Sequence, residues 1–318
     1  MFGDAIDYLE TSFLSPLFKE ESLTDISYNG DCLYFVSSKR GRLKSEISVG
    51  RDEVGDFLRQ IANLSEKQFS FASPILDVSF GRYRLNAVYS SLVRKNNEKT
   101  FSFSLRIASE LCKIDDDPDF FEKEGEDILL SLLEKGESLV IGGQTGSGKT
   151  ELEKWCLLKL GANKRVIVID NVEELDLLRN DKVDLTVWMV NERIKDASFS
   201  SLVRNALRND PDYIMVAEGR GEEMLDAIVS AMSGHPIITS IHAQDLNNMP
   251  ERVVRLALLS NERLFHDEIM FDVVEHLQNY AYLKKVEGKD GEIHRYLDSI
   301  GKLGKDGKME LIYKRKKA

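Results

Sequence analysis

The sequence has few cysteines, and they are dispersed. Cys32, Cys112 and Cys156 are its three cysteines, and no C-x-x-C pair occurs among them. We therefore expect neither a disulfide framework nor a cysteine-ligated zinc site, and the reducing cytoplasm fits this composition. Zinc is not expected at the histidines either, because no cysteine pair or spaced acidic and histidine cluster accompanies them.

Long apolar runs and a basic leader are also lacking. No segment approaches ~18 uninterrupted apolar residues, the length that a membrane-spanning helix needs. The opening stretch, MFGDAIDYLETSF, carries acids where a signal peptide has basic residues, and no apolar core follows it. From the sequence we expect an intracellular chain.

An excess of positive charge is absent as well. Lys and Arg number 43 against 54 Asp and Glu, and the net charge is −11. Duplex binding usually needs a basic face that releases counterions, so stable nucleic-acid binding is not expected. The basic run at residues 314–317 is compatible with contact to anionic lipid headgroups or with a solvated tail.

The length of 318 residues predicts two domains. An Asp-rich stretch at 115–119 fits an exposed connection. We place a mixed α/β domain at 1–113, an acidic linker at 114–124 and a second domain at 125–318. In the first domain the patterns predict a helix within 2–20, a hairpin around Asn29-Gly30-Asp31, a helix at 52–63, and strands at 75–80, 83–90 and 100–107.

In the second domain short apolar runs alternate with helical stretches. The runs are 138–143, 165–170, 186–190, 213–217 and 236–241, and the helical stretches are 149–160, 198–209, 221–233 and 250–259. Such alternation predicts an α/β fold with a mainly parallel sheet covered on both faces. Asp-Gly turns at 290–291 and 306–307 predict a closing antiparallel meander.

The segment GQTGSGKT, between a predicted strand and a predicted helix, has the pattern of a phosphate-binding P-loop. Its glycines let the backbone curl so that N–H groups point at phosphate oxygens, and the helix adds its positive dipole end. Lys149 would bind the β and γ phosphates, and Thr150 would join a Mg²⁺ shell. The predicted nucleotide-binding residues are Gly143, Gln144, Thr145, Gly146, Ser147, Gly148, Lys149, Thr150 and Glu151.

Carboxylates follow two predicted strands, where they would face Mg²⁺ and the attacking water. RVIVID runs into Asp170 and then Glu174, and YIMVA runs into Glu218. Glu218 is the candidate that polarises water, and Glu174 joins Thr150 as a candidate metal ligand. His242, at the end of PIITSI, is a candidate γ-phosphate contact or a merely solvated histidine.

The ordered motifs GQTGSGKT, VIDNVEEL, LRNDPDYIMVAEGRGEE and SGHPIITSIHA resemble the P-loop, acidic box, second nucleotide motif and histidine box of the secretion-superfamily (traffic) ATPases. The resemblance extends to the first domain, where FGRYRLNAVYSSL and FSLRIAS are similar to segments that each deliver an arginine toward the nucleotide. By this resemblance Arg84 and Arg106 are catalytic candidates. Arg208 is a candidate near the site or at a subunit contact.

The resemblance implies a RecA-like ATPase that uses ATP and Mg²⁺. It further implies a homohexameric ring, peripherally associated with the inner face of the cytoplasmic membrane. There the ring would power secretion or pilus assembly with inner-membrane platform proteins. The absence of a tetracysteine insertion and the segments SLVRNALRNDPD and EGRGEE make the type IV secretion and Tad-pilus branch the most similar one.

The sequence departs from the family pattern at Asp170-Asn171, where Glu-Asp is usual, and at Ala217, where a Gly is usual. Asp170 keeps a carboxylate that is one methylene shorter, whereas Asn171 loses a charge. These changes leave open a nucleotide-gated assembly factor that hydrolyses ATP slowly or not at all. A nucleic-acid-stimulated motor of the same fold is the other alternative, against which the net charge of −11 argues.

Overall fold

The structure is a computed structural model, and it describes residues 3–161, 163–170, 175, 183–191, 194–219, 221–260, 263–288 and 291–316. The chain forms two compact units. The first comprises Met1–Glu110 with Glu287–Ile293, and the second comprises Leu111–Val286 with His294–Ala318.

The first unit is an antiparallel sheet with two helices. Its elements are α1 (Gly3–Thr11), a 3₁₀ turn (Leu17–Lys19), β1 (Leu23–Tyr28), β2 (Leu33–Ser37), β3 (Gly41–Lys44), α2 (Arg51–Leu64), β4 (Ile75–Phe80), β5 (Tyr83–Val88), β6 (Arg94–Lys95), β7 (Glu98–Lys99) and β8 (Ser102–Ile107). The six-stranded sheet has the order β3-β2-β1-β8-β5-β4. The predicted hairpin is confirmed as β1 and β2, and α2 buries the apolar face that its periodicity predicts.

The first helix is shorter than the pattern at 2–20 suggests. Helix α1 ends at Thr11, whose hydroxyl donates to the Asp7 carbonyl, and the Ser12 hydroxyl donates to the Leu9 carbonyl. Ser12 Oγ in turn accepts a hydrogen bond from Leu14 N. Side-chain hydroxyls here take over backbone partners and turn the chain away from the helix.

The second unit is built on one eight-stranded sheet in the order β11-β10-β12-β13-β9-β14-β15-β16. Its elements are α3 (Lys123–Glu134), β9 (Leu139–Gly143), α4 (Lys149–Lys159), β10 (Arg165–Asp170), β11 (Asp184–Met189), α5 (Phe199–Ala206), β12 (Tyr213–Val216), α6 (Glu223–Met232), β13 (Ile237–His242), α7 (Met249–Ala257), α8 (His266–His276), β14 (Asn279–Glu287), β15 (Ile293–Leu303) and β16 (Met309–Lys314).

The first six strands in this order, from β11 through β10, β12, β13 and β9 to β14, pair in parallel. Each face of the sheet carries its own apolar cluster. Residues of alternate parity in one strand enter different clusters: Ile237 and Ile241 face α6 and α7, whereas Ile238 faces α4. The predicted α/β class with a mainly parallel sheet is confirmed. None of the helices in the described ranges is both long and apolar enough to cross a bilayer.

Two features of the second unit were not predicted from the sequence. The predicted meander corresponds to β14, β15 and β16, which are neighbours in the sheet in chain order, and β15 pairs antiparallel with β16. On its other side β14 pairs in parallel with β9 and so extends the central sheet, which the sequence did not predict. The reason is the preceding helix α8, which the periodicity did not reveal and which returns the chain to run in the same direction as β9. Helix α3, which begins at Lys123 inside the predicted linker, was also missed.

Candidate functional site

The P-loop adopts a conformation that requires its glycines. Gly146 and Gly148 have φ angles of +73° and +97°, in the left-handed region where a side chain is strained. A Cβ on Gly143 would lie 2.4 Å from Ser147 Oγ and 2.9 Å from the Leu283 carbonyl oxygen. Helix α4 begins directly after the loop, at Lys149, so its first N–H groups and its dipole face the loop.

Burial differs along the loop in the way a ligand cradle requires. Gln144, Thr145 and Gly146 are exposed, whereas Ser147 and Lys149 are buried and Thr150 is half-buried. The exposed apex can meet a ligand from solvent, and the buried residues fix the shape of the loop from beneath. The loop therefore has the form that a phosphate-binding loop requires, at the carboxyl end of β9.

Lys149, His242 and Glu218 form a continuous chain of contacts. Lys149 Nζ lies 3.4 Å from the carbonyl oxygens of Gly143 and Gln144 and 3.4 Å from His242 Nδ1. His242 Nε2 lies 2.7 Å from Glu218 Oε1. Because an ammonium group can only donate, His242 Nδ1 accepts from Lys149 and Nε2 carries the proton that points at Glu218.

The two acids that follow strands both lie at the carboxyl edge of the sheet. Glu218 follows β12 and its side chain is 16% exposed. Asp170 ends β10, is 1% exposed and accepts a hydrogen bond from Leu175 N at 3.4 Å. The structure thus brings Asp170 and Glu218 to the edge that also carries Lys149. Glu174, like Asn171, lies outside the described residues.

Glu151 is engaged away from the loop apex. Its Oε2 accepts the backbone N–H of Lys113 at 2.8 Å, and its Oε1 pairs with the buried Lys154 at 3.1 Å. These two contacts connect Lys113, in the segment before α3, to helix α4.

Arg208 is not brought together with Glu218 in this chain. It lies in the turn after α5, exposed, on the path to the beginning of β12. Asp212 of the same path binds Arg165 N at 2.8 Å, at the beginning of β10. Arg208 is therefore at the opposite edge of the sheet, and the subunit-contact role that the sequence allows for it stays a prediction.

Arg84 and Arg106 belong to the first unit and are direct cross-strand neighbours on β5 and β8. Directly opposed residues share a face of the sheet, where two like charges repel. Arg106 also pairs in register with Asp25, and Arg84 lies 3.6 Å from Asp77. The structure thus places Arg84 and Arg106 side by side on one face of the first unit's sheet. Their contact with nucleotide stays a prediction.

The sequence reasoning missed three residues around the site. Arg295, on β15, donates from Nε to the Gly146 carbonyl at 2.7 Å. Ser240, on β13, donates from its hydroxyl to the Ala217 carbonyl at 2.8 Å. Glu153, on α4, is completely buried. Of the three, only Glu153 could have been noticed in the sequence. It is an acid between Leu152 and Trp155, at a helix position that faces the core.

The donor set suits Mg²⁺ held mostly by phosphate oxygens. Among the described residues no three His, Cys, Asp or Glu side chains converge on a metal-sized site. Hydroxyl and carboxylate oxygens are hard ligands, and Mg²⁺ typically keeps one or two protein contacts beside waters and phosphates. Thr150, at the start of α4, would supply the direct contact. Asp170 and Glu218 lie at the same edge of the sheet.

Comparison with known proteins gives a consistent result. A family model described as type II/IV secretion system protein matches residues 103–274. The type IV secretion system protein VirB11 of Bartonella henselae is 24% identical over 323 residues, which cover 90% of this chain and 91% of that protein. An uncharacterized protein of Bacillus anthracis is 28% identical over 282 residues, which cover 84% of this chain. The chain spans 62% of that relative and 45% of a second one, from Methanocaldococcus jannaschii.

Solved structures share the fold. The Legionella pneumophila ATPase DotB aligns with a TM-score of 0.65 at 21% identity, covering 89% of this chain and 78% of that one. The pilus retraction motor PilT, solved with ADP, aligns with a TM-score of 0.61 at 18% identity, covering 96% of this chain and 84% of that one. At these identities the likeness concerns the fold alone.

Proposed function

Because this chain belongs to the type II/IV secretion system protein family, we propose that it is an ATPase that binds ATP with Mg²⁺ and hydrolyses it to power secretion or pilus assembly. The observation that carries the proposal is the contact chain from Lys149 through His242 to Glu218 at the carboxyl edge of a parallel sheet. Ligands of open α/β sheets bind at this edge. By the resemblance of its motifs to the secretion ATPases, the chain would act as a homohexamer at the cytoplasmic face of a membrane machine.

The mechanism follows from what each group can donate or accept. The N–H groups of the P-loop and the start of α4 would hold the phosphates, and Lys149 would leave the loop carbonyls to reach the β and γ phosphates. Mg²⁺, bound with ATP, supplies a counter-charge for the transferred phosphoryl group. Glu218 accepts hydrogen bonds only, so it can orient the attacking water and withdraw its proton.

His242 would report the state of the nucleotide. In the described structure its Nδ1 accepts from Lys149 and its Nε2 faces Glu218. When Lys149 turns to phosphate, the imidazole loses that donor and gains freedom to reorient toward the γ-phosphate. His242 therefore connects phosphate occupancy with the position of Glu218.

The test separates binding from hydrolysis. We expect Lys149→Ala to abolish ATP binding, and Glu218→Gln to bind ATP while losing on the order of 100-fold or more in rate, as removal of a general base does. Glu222→Gln, an exposed acid four residues further on, is the matched control and should hydrolyse normally. Fluorescent-nucleotide binding and steady-state phosphate release measure the two steps. Wild-type turnover by Glu218→Gln would refute the assignment.

The same assays decide between the alternatives. Tight ATP binding with phosphate release no faster than in Lys149→Ala would identify a nucleotide-gated assembly factor. Stimulation by single- or double-stranded DNA or by RNA would identify a nucleic-acid motor. A chain with a net charge of −11 is expected to show no such stimulation.

A further inference from the structure

Glu153 is a buried acid that the proposed mechanism does not use. It lies four residues after Lys149 in α4, so the two side chains share a face of the helix. Glu153 is 0% exposed, and neither of its carboxyl oxygens makes a hydrogen bond of good geometry within the described part of the chain. Leu152, Trp155 and Cys156 of the same helix belong to the apolar cluster on this side of the sheet.

Such surroundings favour the neutral carboxyl. An unpaired carboxylate is costly to bury, and the group protonates instead. Burial raises the pKa of Glu153 well above its usual range, and the charges of Asp170 and Glu218 act in the same direction. Ser240 and Lys149 lower the pKa of Glu153, but their effect is smaller than that of burial.

Ser240 is the polar side chain that faces Glu153 from β13. It has the same parity as Ile238, whose side chain packs into the cluster that contains α4, so its hydroxyl lies on the α4 side of the sheet. That hydroxyl donates to the Ala217 carbonyl at 2.8 Å, and the Ser240 carbonyl accepts from Gly219 N at 2.8 Å. Ser240 is thus hydrogen-bonded to Ala217 and Gly219, the residues on both sides of Glu218.

The protonation state of Glu153 decides where the Ser240 hydrogen goes. A hydroxyl has one hydrogen to donate and two lone pairs to accept with. A neutral Glu153 can donate to Ser240 Oγ and leave the Ser240 hydrogen on the Ala217 carbonyl. An ionised Glu153 could only accept, and it would compete for that same hydrogen.

We propose that Glu153 is a positioning residue, a neutral hydrogen-bond donor on the P-loop helix that secures Ser240 and thereby the backbone on both sides of Glu218. This inference rests on the proposed hydrolysis by Glu218. It gives the P-loop helix a link, through Ser240, to the backbone that positions Glu218.

Two substitutions separate donation from charge. Glu153→Gln keeps the shape and a donor without any charge, and we expect its kcat to stay within about twofold of wild type. Glu153→Leu keeps the approximate volume but has no donor. We expect its kcat to fall on the order of 10- to 100-fold, the cost of a displaced catalytic group, with an unchanged KM for ATP. Phosphate release and fluorescent-nucleotide binding measure both quantities.

Ser240→Ala is the second arm of the test. We expect Ser240→Ala to show the same loss of kcat at unchanged KM. The double variant Glu153→Leu/Ser240→Ala should lose no more kcat than Ser240→Ala alone, because the two residues act through one hydrogen-bonded path. Equal losses in Glu153→Gln and Glu153→Leu would overturn the proposal, since charge would then be required. Wild-type kcat in Ser240→Ala would also overturn it, even if Glu153→Leu failed to fold.

Infrared difference spectroscopy distinguishes failure of this inference from failure of the proposed function. The spectrum of wild type minus Glu153→Gln at neutral pH should contain the carbonyl stretch of a protonated carboxyl, whether or not ATP is hydrolysed. Carboxylate bands in its place would overturn the inference alone. If wild type shows the band of a protonated carboxyl but does not hydrolyse ATP, Glu153 is neutral as inferred. The proposal that the protein is an ATPase is then refuted.

Discussion

At the scale of single residues, the P-loop is held by side chains that lie far from it in the sequence. Arg295 donates to the Gly146 carbonyl at 2.7 Å, and Lys285 Nζ lies 3.6 Å from where a Cβ of Gly146 would be. Burial lowers the pKa of Arg295, opposed by the charges of Asp117 and Glu151. Two cations from the C-terminal strands therefore lie beside the apex that receives phosphate.

We predict that Arg295→Ala weakens ATP binding more than it slows hydrolysis. It removes a charge-assisted hydrogen bond, worth about 1.5 kcal/mol or more, from the loop, so the KM for ATP should rise about tenfold while kcat changes little. Steady-state kinetics measure this split. Lys302→Ala, an exposed cation on the same strand, is the control and should behave as wild type. An unchanged KM in Arg295→Ala would show that the loop keeps its shape without this contact.

At the scale of elements, Asp298 joins the three C-terminal strands. It lies on β15, almost fully buried, and pairs with Lys284 of β14 at 3.1 Å and with Lys314 of β16 at 2.6 Å. Burial alone would raise the pKa of Asp298, but the hydrogen bonds from Lys314, Lys284 and Ser299 outweigh it and lower the pKa below its usual range.

We predict that Asp298→Asn destabilises the protein at neutral pH by about 1 to 2 kcal/mol, a modest value because both lysines are partly exposed. A carboxyl whose pKa is lowered by folding stabilises above its unfolded pKa of about 3.9, and the stabilisation is lost as the pH falls through the folded pKa. Urea unfolding at pH 7 and near pH 3 checks the sign: the difference from wild type should shrink at the lower pH. The exposed Asp306→Asn is the control, and a pH-independent difference would contradict the prediction.

At the scale of the whole molecule, the resemblance of the motifs to secretion ATPases predicts a ring of six copies. Light scattering or mass photometry, with and without ATP and Mg²⁺, measures the number of chains. We expect hexamers, favoured by nucleotide, and a loss of hydrolysis in Arg208→Ala if Arg208 contacts a neighbouring copy. A chain that stays monomeric in every nucleotide state would contradict the ring.

The sequence predicted much of this site because its signals are local. The glycines of the P-loop, Lys149 and Thr150 stand in one continuous segment, and the strands of the parallel sheet are short apolar runs that a pattern identifies. The position of Glu218 directly after a strand was enough to predict the edge at which it lies. The match of residues 103–274 to a secretion-system family confirms the resemblance that four ordered motifs carried.

The contacts that the sequence did not reveal are non-local. Arg295 and Gly146 are far apart in the chain and meet because β15 lies two strands from β9 in the sheet, after β14. The hydrogen bond from Ser240 of β13 to the Ala217 carbonyl joins the ends of two strands, and no spacing rule relates its members. The parallel pairing of β14 likewise depended on α8, a helix with a weak periodic pattern.

The sequence by itself determined that this protein has a P-loop at 143–150, followed by acids and a histidine at strand ends, because those features depend on residue type and local spacing. The tertiary structure alone decided which side chains hold them. Lys149 meets His242 and Glu218, Arg295 reaches the loop, and Glu153 is buried behind it. These contacts form only when distant segments pack into one sheet with helices on its faces, and that packing is set by the whole chain at once.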